Sequence, residues 1–217
     1  RFNFAGAEYA FREKSKVGLW LARLEDIYQQ SYVQFQHVHP LSESLALSAN
    51  LGYFTGKDEG SALAGELDNK TYSGMFGLHA GAHTIYVGLQ KVSGDNGWMR
   101  VNGTSGASLA NDSFNSAYDA ANERSWQLRH DYDFAGLGIP GLTLMNRYIS
   151  GDNIHTATID DGKEWGRETE LAYTVQSGVL KSLNIKWRNS SMRRDSSFSR
   201  NEFDENRLIF NYPISLL

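Results

Sequence analysis

Residues 124–134 read RSWQLRHDYDF. Trp126, Leu128, His130, Tyr132 and Phe134 fall on one parity, and Gln127, Arg129, Asp131 and Asp133 fall on the other. A period of two marks a β-strand, because successive side chains point to opposite faces. The open question is which face is wet. In a soluble sandwich the aromatic parity is the core and the charged parity meets bulk water. In a membrane barrel the aromatic parity meets lipid and the charged parity lines a lumen. One strand cannot decide between the two, so the decision rests on the rest of the chain.

The chain has 217 residues, no cysteine, three prolines, twenty-one glycines and a formal net charge of −4. Without cysteine there is no disulfide framework and no cysteine-ligated zinc. No run approaches the eighteen apolar residues of a membrane-crossing helix, which says nothing about a β-barrel, whose strands are only half apolar. The mild negative charge argues against nucleic acid as a partner, and no compact Lys/Arg cluster stands out apart from Arg193–Arg194. Arg1 opens inside strand-like sequence without an initiator methionine, which reads as a mature protein or a piece of one.

Period-two segments recur along the whole length and predict eleven strands, near 2–11, 16–25, 29–38, 43–54, 70–80, 83–93, 123–134, 141–150, 164–176, 182–192 and 203–213. Leu45, Leu47, Ala49, Leu51 and Tyr53 alternate with Ala46, Ser48, Asn50 and Gly52, whereas VGLWLARL is apolar on both parities. Links after the odd-numbered strands are short, such as GAH and QSGVLKS, while those after strands four, six, eight and ten read as longer polar loops. Only the link near EDIY breaks that rule. Loops sorted by length to one end, strands of about ten residues and aromatics at strand ends (Tyr53, Tyr72, Trp98, Trp126, Tyr132, Phe134, Tyr148, Trp165 and Tyr212) together predict a transmembrane antiparallel up-and-down β-barrel. Soluble strands run nearer five or six residues. Single-chain barrels have even strand numbers, so an odd count of eleven implies earlier strands before Arg1.

The ordered motifs FAGAEYAF, LEDIYQQSY, YVGLQKVSGDNGW, LANDSFN, ERSWQLRHDYDF, GIPGLTLMNRY, DGKEWGRETELAY and DENRLIFNYPISLL span essentially the whole chain. The sequence resembles the C-terminal half of the OprD family of outer-membrane porins. That resemblance implies that residues 1–217 are the C-terminal portion of one eighteen-stranded barrel domain, with about seven strands and a constriction loop lying in the missing half. It further implies substrate-selective passive diffusion of small carboxylates, such as amino acids or aromatic acids, along a basic ladder on the wall. The implied setting is the bacterial outer membrane, with lipid and lipopolysaccharide as neighbours and a monomer or weak trimer as the assembly.

The polar parity supplies the candidate pore-lining residues. Lys186 and Arg188 lie two apart on one strand face, about 7 Å from each other. Close cations repel and gain by attracting an anion, and arginine offers a planar fork for a carboxylate. The resemblance places Lys186, Arg188 and Arg207 in the ladder. Arg129 and Arg147 rest on parity, and the alternative for both is a wall salt bridge with Asp131, Asp133 or Glu168. His37 and His39 share a face but lack a third metal ligand. Asp58, Asp152, Asp160 and Asp161 could hold Ca²⁺, although solvated loop charge is the plainer reading. GTSGAS lacks the context of a nucleophile elbow, and no HExxH, Walker or dinucleotide fingerprint occurs. No enzyme activity, metal or cofactor is therefore expected. The competing readings are an outer-membrane barrel enzyme and a soluble β-sandwich adhesin or lectin.

Overall fold

The computed structural model describes residues 1–99, 109–195 and 202–214. Eleven strands follow one another as β1 (Phe2–Arg12), β2 (Ser15–Leu24), β3 (Tyr28–Pro40), β4 (Leu45–Asp58), β5 (Asp68–Ala80), β6 (His83–Ser93), β7 (Arg124–Asp133), β8 (Leu142–His155), β9 (Asp160–Thr174), β10 (Asn184–Arg194) and β11 (Phe203–Asn211). They form one sheet in simple sequence order, and every neighbour is antiparallel. This is the up-and-down meander that the recurring period of two predicts.

The two faces are inverted relative to a soluble sheet. In β7, Trp126 and Leu128 are 47% and 51% exposed, while Gln127 between them is fully buried. Leu89 is exposed beside buried Gln90 in β6, and Tyr72 is exposed beside buried Thr71 in β5. So continuous an apolar surface is costly in water, at about 25 cal/mol per Å². Lipid removes that cost. The backbone groups of every inner strand are meanwhile closed strand to strand, as a hydrocarbon surround demands. The aromatic parity of 124–134 is the lipid face.

Three expectations need correction. The stretch 151–163, read as a polar loop, is mostly strand: β8 reaches His155, β9 starts at Asp160, and only 156–159 join them. The register slips between Gly151 and Ile154, where Asn153 takes a left-handed φ of 59°, and that slip breaks the alternation on which periodicity depends. The sorting of long loops to one end therefore reduces to one outsized link, 94–123; the others at that end are 25–27, 59–67, 156–159 and 195–202. The nine-residue link 175–183, at the opposite end, is as long as or longer than each of these four. Phe134 is not in β7 but opens a 3₁₀ turn (Phe134–Leu137), and the Asp133 carboxylate, read as lumen-facing, accepts the Ala135 N–H at 2.9 Å as its cap.

A charge placed on the lipid face tests the inversion. In the full-length barrel, Leu128→Arg is expected to lower stability by about 2–4 kcal/mol in guanidinium titrations in lipid vesicles, as for a cation near the bilayer midplane. Loss of less than a quarter of that range would contradict the assignment of this face to lipid.

Candidate functional site

The face opposite the lipid carries a folded-in segment. Residues 109–123 of the longest link lie against β5 to β10, and Leu109, Asn111, Tyr118, Ala121 and Glu123 are buried there. A non-regular chain pressed onto a sheet must satisfy its own backbone groups. Side chains of the polar parity do this. Ser73 Oγ accepts the Ala110 N–H at 2.6 Å, and Gln90 Oε1 accepts that of Asn111 at 3.1 Å. Gln90 Nε2 donates to the carbonyls of Ala117 and Tyr118 at 2.9 and 2.7 Å, and Gln127 Nε2 donates to that of Ala110. Asn115 Nδ2 donates to Ser190 Oγ at 2.7 Å. These residues are buried because they take the place of a neighbouring strand.

Glycines in the same parity make the room. A Cβ at Gly166 would sit 2.5 Å from the Tyr118 hydroxyl, one at Gly88 would sit 2.6 Å from Asn111 Oδ1, and one at Gly151 would meet the Glu123 carboxyl. Tyr118 packs on Ile149 and Met192, with Phe203 beside them, and forms a small apolar core on the lumen side. Its backbone is left-handed (φ 51°), a conformation that costs a bulky residue about 1–3 kcal/mol and persists only when its surroundings fix it.

Two buried ion pairs anchor the segment. Arg147 meets Glu168 at 2.5 and 2.6 Å, and Arg194 meets Glu164 at 2.5 Å, with all four side chains no more than 7% exposed. Each carboxylate also serves the segment, Glu168 accepting the Phe114 N–H at 3.0 Å and Glu164 the Ser116 hydroxyl at 2.9 Å. Buried pairs repay their desolvation only when the remaining lone pairs are satisfied in this way. Glu123 is a third acid in the cluster. Burial first, and the neighbouring Glu164 carboxylate next, hold its carboxyl well above the usual carboxylate range, while the Ala120 N–H, donated at 2.9 Å, works the other way.

The five predicted lumen residues share this inner face, but they do not stand alike. Asp131, Met145, Glu170, Arg188 and Arg207 form one row across β7 to β11, and Arg129, Arg147, Glu168, Ser190 and Glu205 form the next. Lys186 and Arg188 share Glu170, with Lys186 Nζ at 3.4 Å. Arg207 pairs with Glu205 at 2.5 Å, and Arg129 pairs with Asp131 at 2.6 and 2.8 Å. Three cations against two carboxylates leave the Lys186–Arg188–Arg207 patch with one net positive charge. Arg147 departs from expectation: it lies under the segment, donates to the Asp112 carbonyl at 3.2 Å and is closed off from the lumen. Its wall salt bridge with Glu168 is the alternative reading that parity left open.

Sequence reading did not foresee two features. Phe114 lies between two guanidinium groups, Arg188 at 3.9 Å and Arg147 at 4.8 Å from its ring centroid. An inward aromatic stack also runs across β2 to β4, Trp20–Tyr32 at 5.0 Å and Tyr32–Phe54 at 3.8 Å, with Trp98 edge-on to Phe54 at 4.2 Å. Trp98 is thus not part of the interfacial girdle. The signal for the stack lay in Gly6, Gly18 and Gly52 on the same parity, which leave space for the rings. His37 bonds Ser15 at 2.8 Å, and among the described residues no cluster of three or more potential metal ligands forms, from the histidines or from Asp58, Asp152, Asp160 and Asp161. GTSGAS lies outside the described residues.

A sheet with an apolar exterior, a charged interior and a segment folded onto that interior has the build of a transmembrane barrel wall. The family model described as outer membrane porin, OprD family, matches residues 1–216. The chain belongs to the OprD family of outer-membrane porins. Its relatives include the porin-like protein GalP of Pseudomonas putida, 63% identical over 218 residues, which cover all of this chain and 52% of GalP. Among solved structures, a BenF-like porin from Pseudomonas fluorescens is 64% identical with a TM-score of 0.95, over 99% of this chain and 55% of that one. OccK2 of Pseudomonas aeruginosa, solved in complex with glucuronate, is 62% identical with a TM-score of 0.94, over 100% and 59%. The chain spans little more than half the length of these OprD-family relatives, and it is part of a bacterial outer-membrane β-barrel.

Glu123 makes docking of the segment pH-dependent. With its carboxyl raised in the docked state, the docked state binds the proton more tightly, so docking is strongest below the ordinary carboxylate range and weakens as pH rises toward the raised value. Hydrogen-exchange protection of 109–123, corrected for intrinsic rates, is expected to fall as pH rises above the ordinary carboxylate range in the full-length porin. Glu123→Gln should flatten that fall and raise protection at the alkaline end. Equal pH profiles in the two proteins would refute the role of this carboxyl.

Proposed function

We propose that this chain forms the part of a substrate-selective porin that guides small carboxylates, such as amino acids or aromatic acids, by passive diffusion along Lys186, Arg188 and Arg207. Arg129 stands on the same wall, in register with Arg147 on the neighbouring strand, and Arg147 positions the segment instead of meeting solute. The observation that carries the reading is the state of Arg188. Phe114 covers its guanidinium face and Glu170 engages Nε, while among the described residues its two terminal nitrogens make no hydrogen bond. A carboxylate can take that free edge as a planar fork. Glu170 and Glu205 reduce the net attraction, which suits a channel: binding must be strong enough to admit a solute and weak enough to release it. The OccK2 relative was solved with glucuronate, itself a carboxylate, which supports the same class of solute here. Flux of this kind needs no covalent step and no cofactor.

In the full-length protein, Arg188→Ala with Arg207→Ala is expected to cut carboxylate uptake by roughly tenfold, the lower end of what a charge-focusing channel supplies. Heat-modifiable gel migration should persist, because both side chains lie in the lumen and outside the backbone ladder. Arg188→Lys should recover only part of the flux, since a point charge lacks the fork. Unchanged uptake in the double variant would remove the basic row from the mechanism.

A further inference from the structure

The outward face carries cations that transport does not use. Tyr53, Tyr72, Lys91, Arg124 and Asp152 form one outward row across β4 to β8. Arg124 is satisfied by Asp152 at 2.8 Å, but among the described residues Lys57, Lys70 and Lys91 have no carboxylate within ion-pair distance. The register sets these three on a diagonal: Lys57 faces Asp68, Lys70 lies two residues further along β5, and Lys91 faces Tyr72 two residues beyond that. Diagonal neighbours on adjacent strands stand about 7–8 Å apart, so the flexible stems of Lys70 and Lys91 can converge on a single phosphate.

The slant of this diagonal has a meaning. The aromatic girdle steps the same way, from the row of Tyr53 and Tyr72 in β4 and β5 to the lower row of Trp126 and Trp165 in β7 and β9. The lysines therefore follow the girdle along its outer side, at the end of the long link 94–123, where headgroups meet water. Directly below them the apolar face is dented by a groove of about 810 Å³, lined by Leu51, Tyr53, Tyr72, Gly74, Leu89 and Trp126. Gly74 forms its floor between Leu51 and Leu89 in register, and a Cβ there would already sit 3.3 Å from Leu51 and Phe76.

We propose that this face binds a phosphorylated glycolipid of the outer leaflet, its phosphate held by Lys70 and Lys91 with Lys57 and Arg124 flanking, and one acyl chain lying in the groove over Gly74. The inference rests on the outer-membrane placement and not on the carboxylate pathway. The chemistry matches piece by piece: unpaired ammonium groups for a phosphate, a tilted tyrosine pair (ring centroids 4.9 Å apart) for the sugar–headgroup level, and an apolar trough for a saturated chain.

The test uses the full-length barrel in detergent, native mass spectrometry and three probes: bisphosphorylated lipid A, its dephosphorylated form, and phosphatidylglycerol. The wild type is expected to retain bisphosphorylated lipid A in preference to the other two. Lys70→Gln with Lys91→Gln should weaken that retention roughly 25-fold, the product of two surface cations near an anionic lipid. Gly74→Val should weaken retention of bisphosphorylated lipid A while leaving Lys70 and Lys91 in place. Equal retention by wild type and the double lysine variant would overturn the proposal, as would equal retention of all three lipids. Carboxylate currents through the same wild-type sample address the transport reading separately, so either proposal can fail alone.

Discussion

In a hydrocarbon surround every backbone N–H and C=O has to find its partner within the protein, because an unsatisfied group costs several kcal/mol. The unbroken antiparallel ladder from β1 to β11 is the response, and the other features follow from it. Since the ladder closes the backbone, the outward side chains need only be apolar, and the inward ones are released from packing. The polar parity can then hold charge, hold water, or hold another piece of chain. In 124–134 that division is already visible, with Trp126 and Leu128 exposed to lipid and Gln127 buried beneath the folded-in segment.

The same requirement reappears on the inner face. Residues 109–123 have no strand to pair with, so the wall gives them Ser73, Gln90, Gln127 and Ser190 in place of one. The ion pairs of Arg147 and Arg194 are likewise finished by the segment's own donors, Phe114 N–H and the Ser116 hydroxyl. Segment and wall therefore complete one another. Moving the segment away would strip both ion pairs of a donor and several of the segment's backbone groups of their partners, which explains how a non-regular stretch keeps a fixed position on the wall.

The number, order and pairing of the strands were legible in the sequence because alternation is a local property, and so was the assignment of faces. Strand ends were not: where β8 meets β9 the register slips around Asn153, and the period of two that betrays a strand is interrupted. The candidate cations were legible as a set, since parity alone puts Lys186, Arg188, Arg207, Arg129 and Arg147 on one face. Which of them meet the lumen was not. Arg147 is withdrawn by a segment some thirty residues away in sequence that reads as a polar loop, and its clues were scattered: Leu109, Ala117, Tyr118 and Ala121 within it, and Gly88, Gly151 and Gly166 waiting on the wall. Only the register brings those two sets together.

Phe114 links the anchor to the site. Its ring touches Arg147, fixed in the buried pair with Glu168, and Arg188, which faces the lumen. An arginine with four rotatable bonds loses about 2 kcal/mol of conformational freedom when held in one pose. Stacking on an aromatic face offsets part of that loss before any solute arrives, by about 0.5–1 kcal/mol at a partly exposed site. The inward segment thus does more than cover part of the inner wall. By carrying Phe114 to the basic row it sets the plane of Arg188 in advance, so the fork that the proposed carboxylate pathway requires is already oriented, and anything that loosens the segment also blurs that orientation.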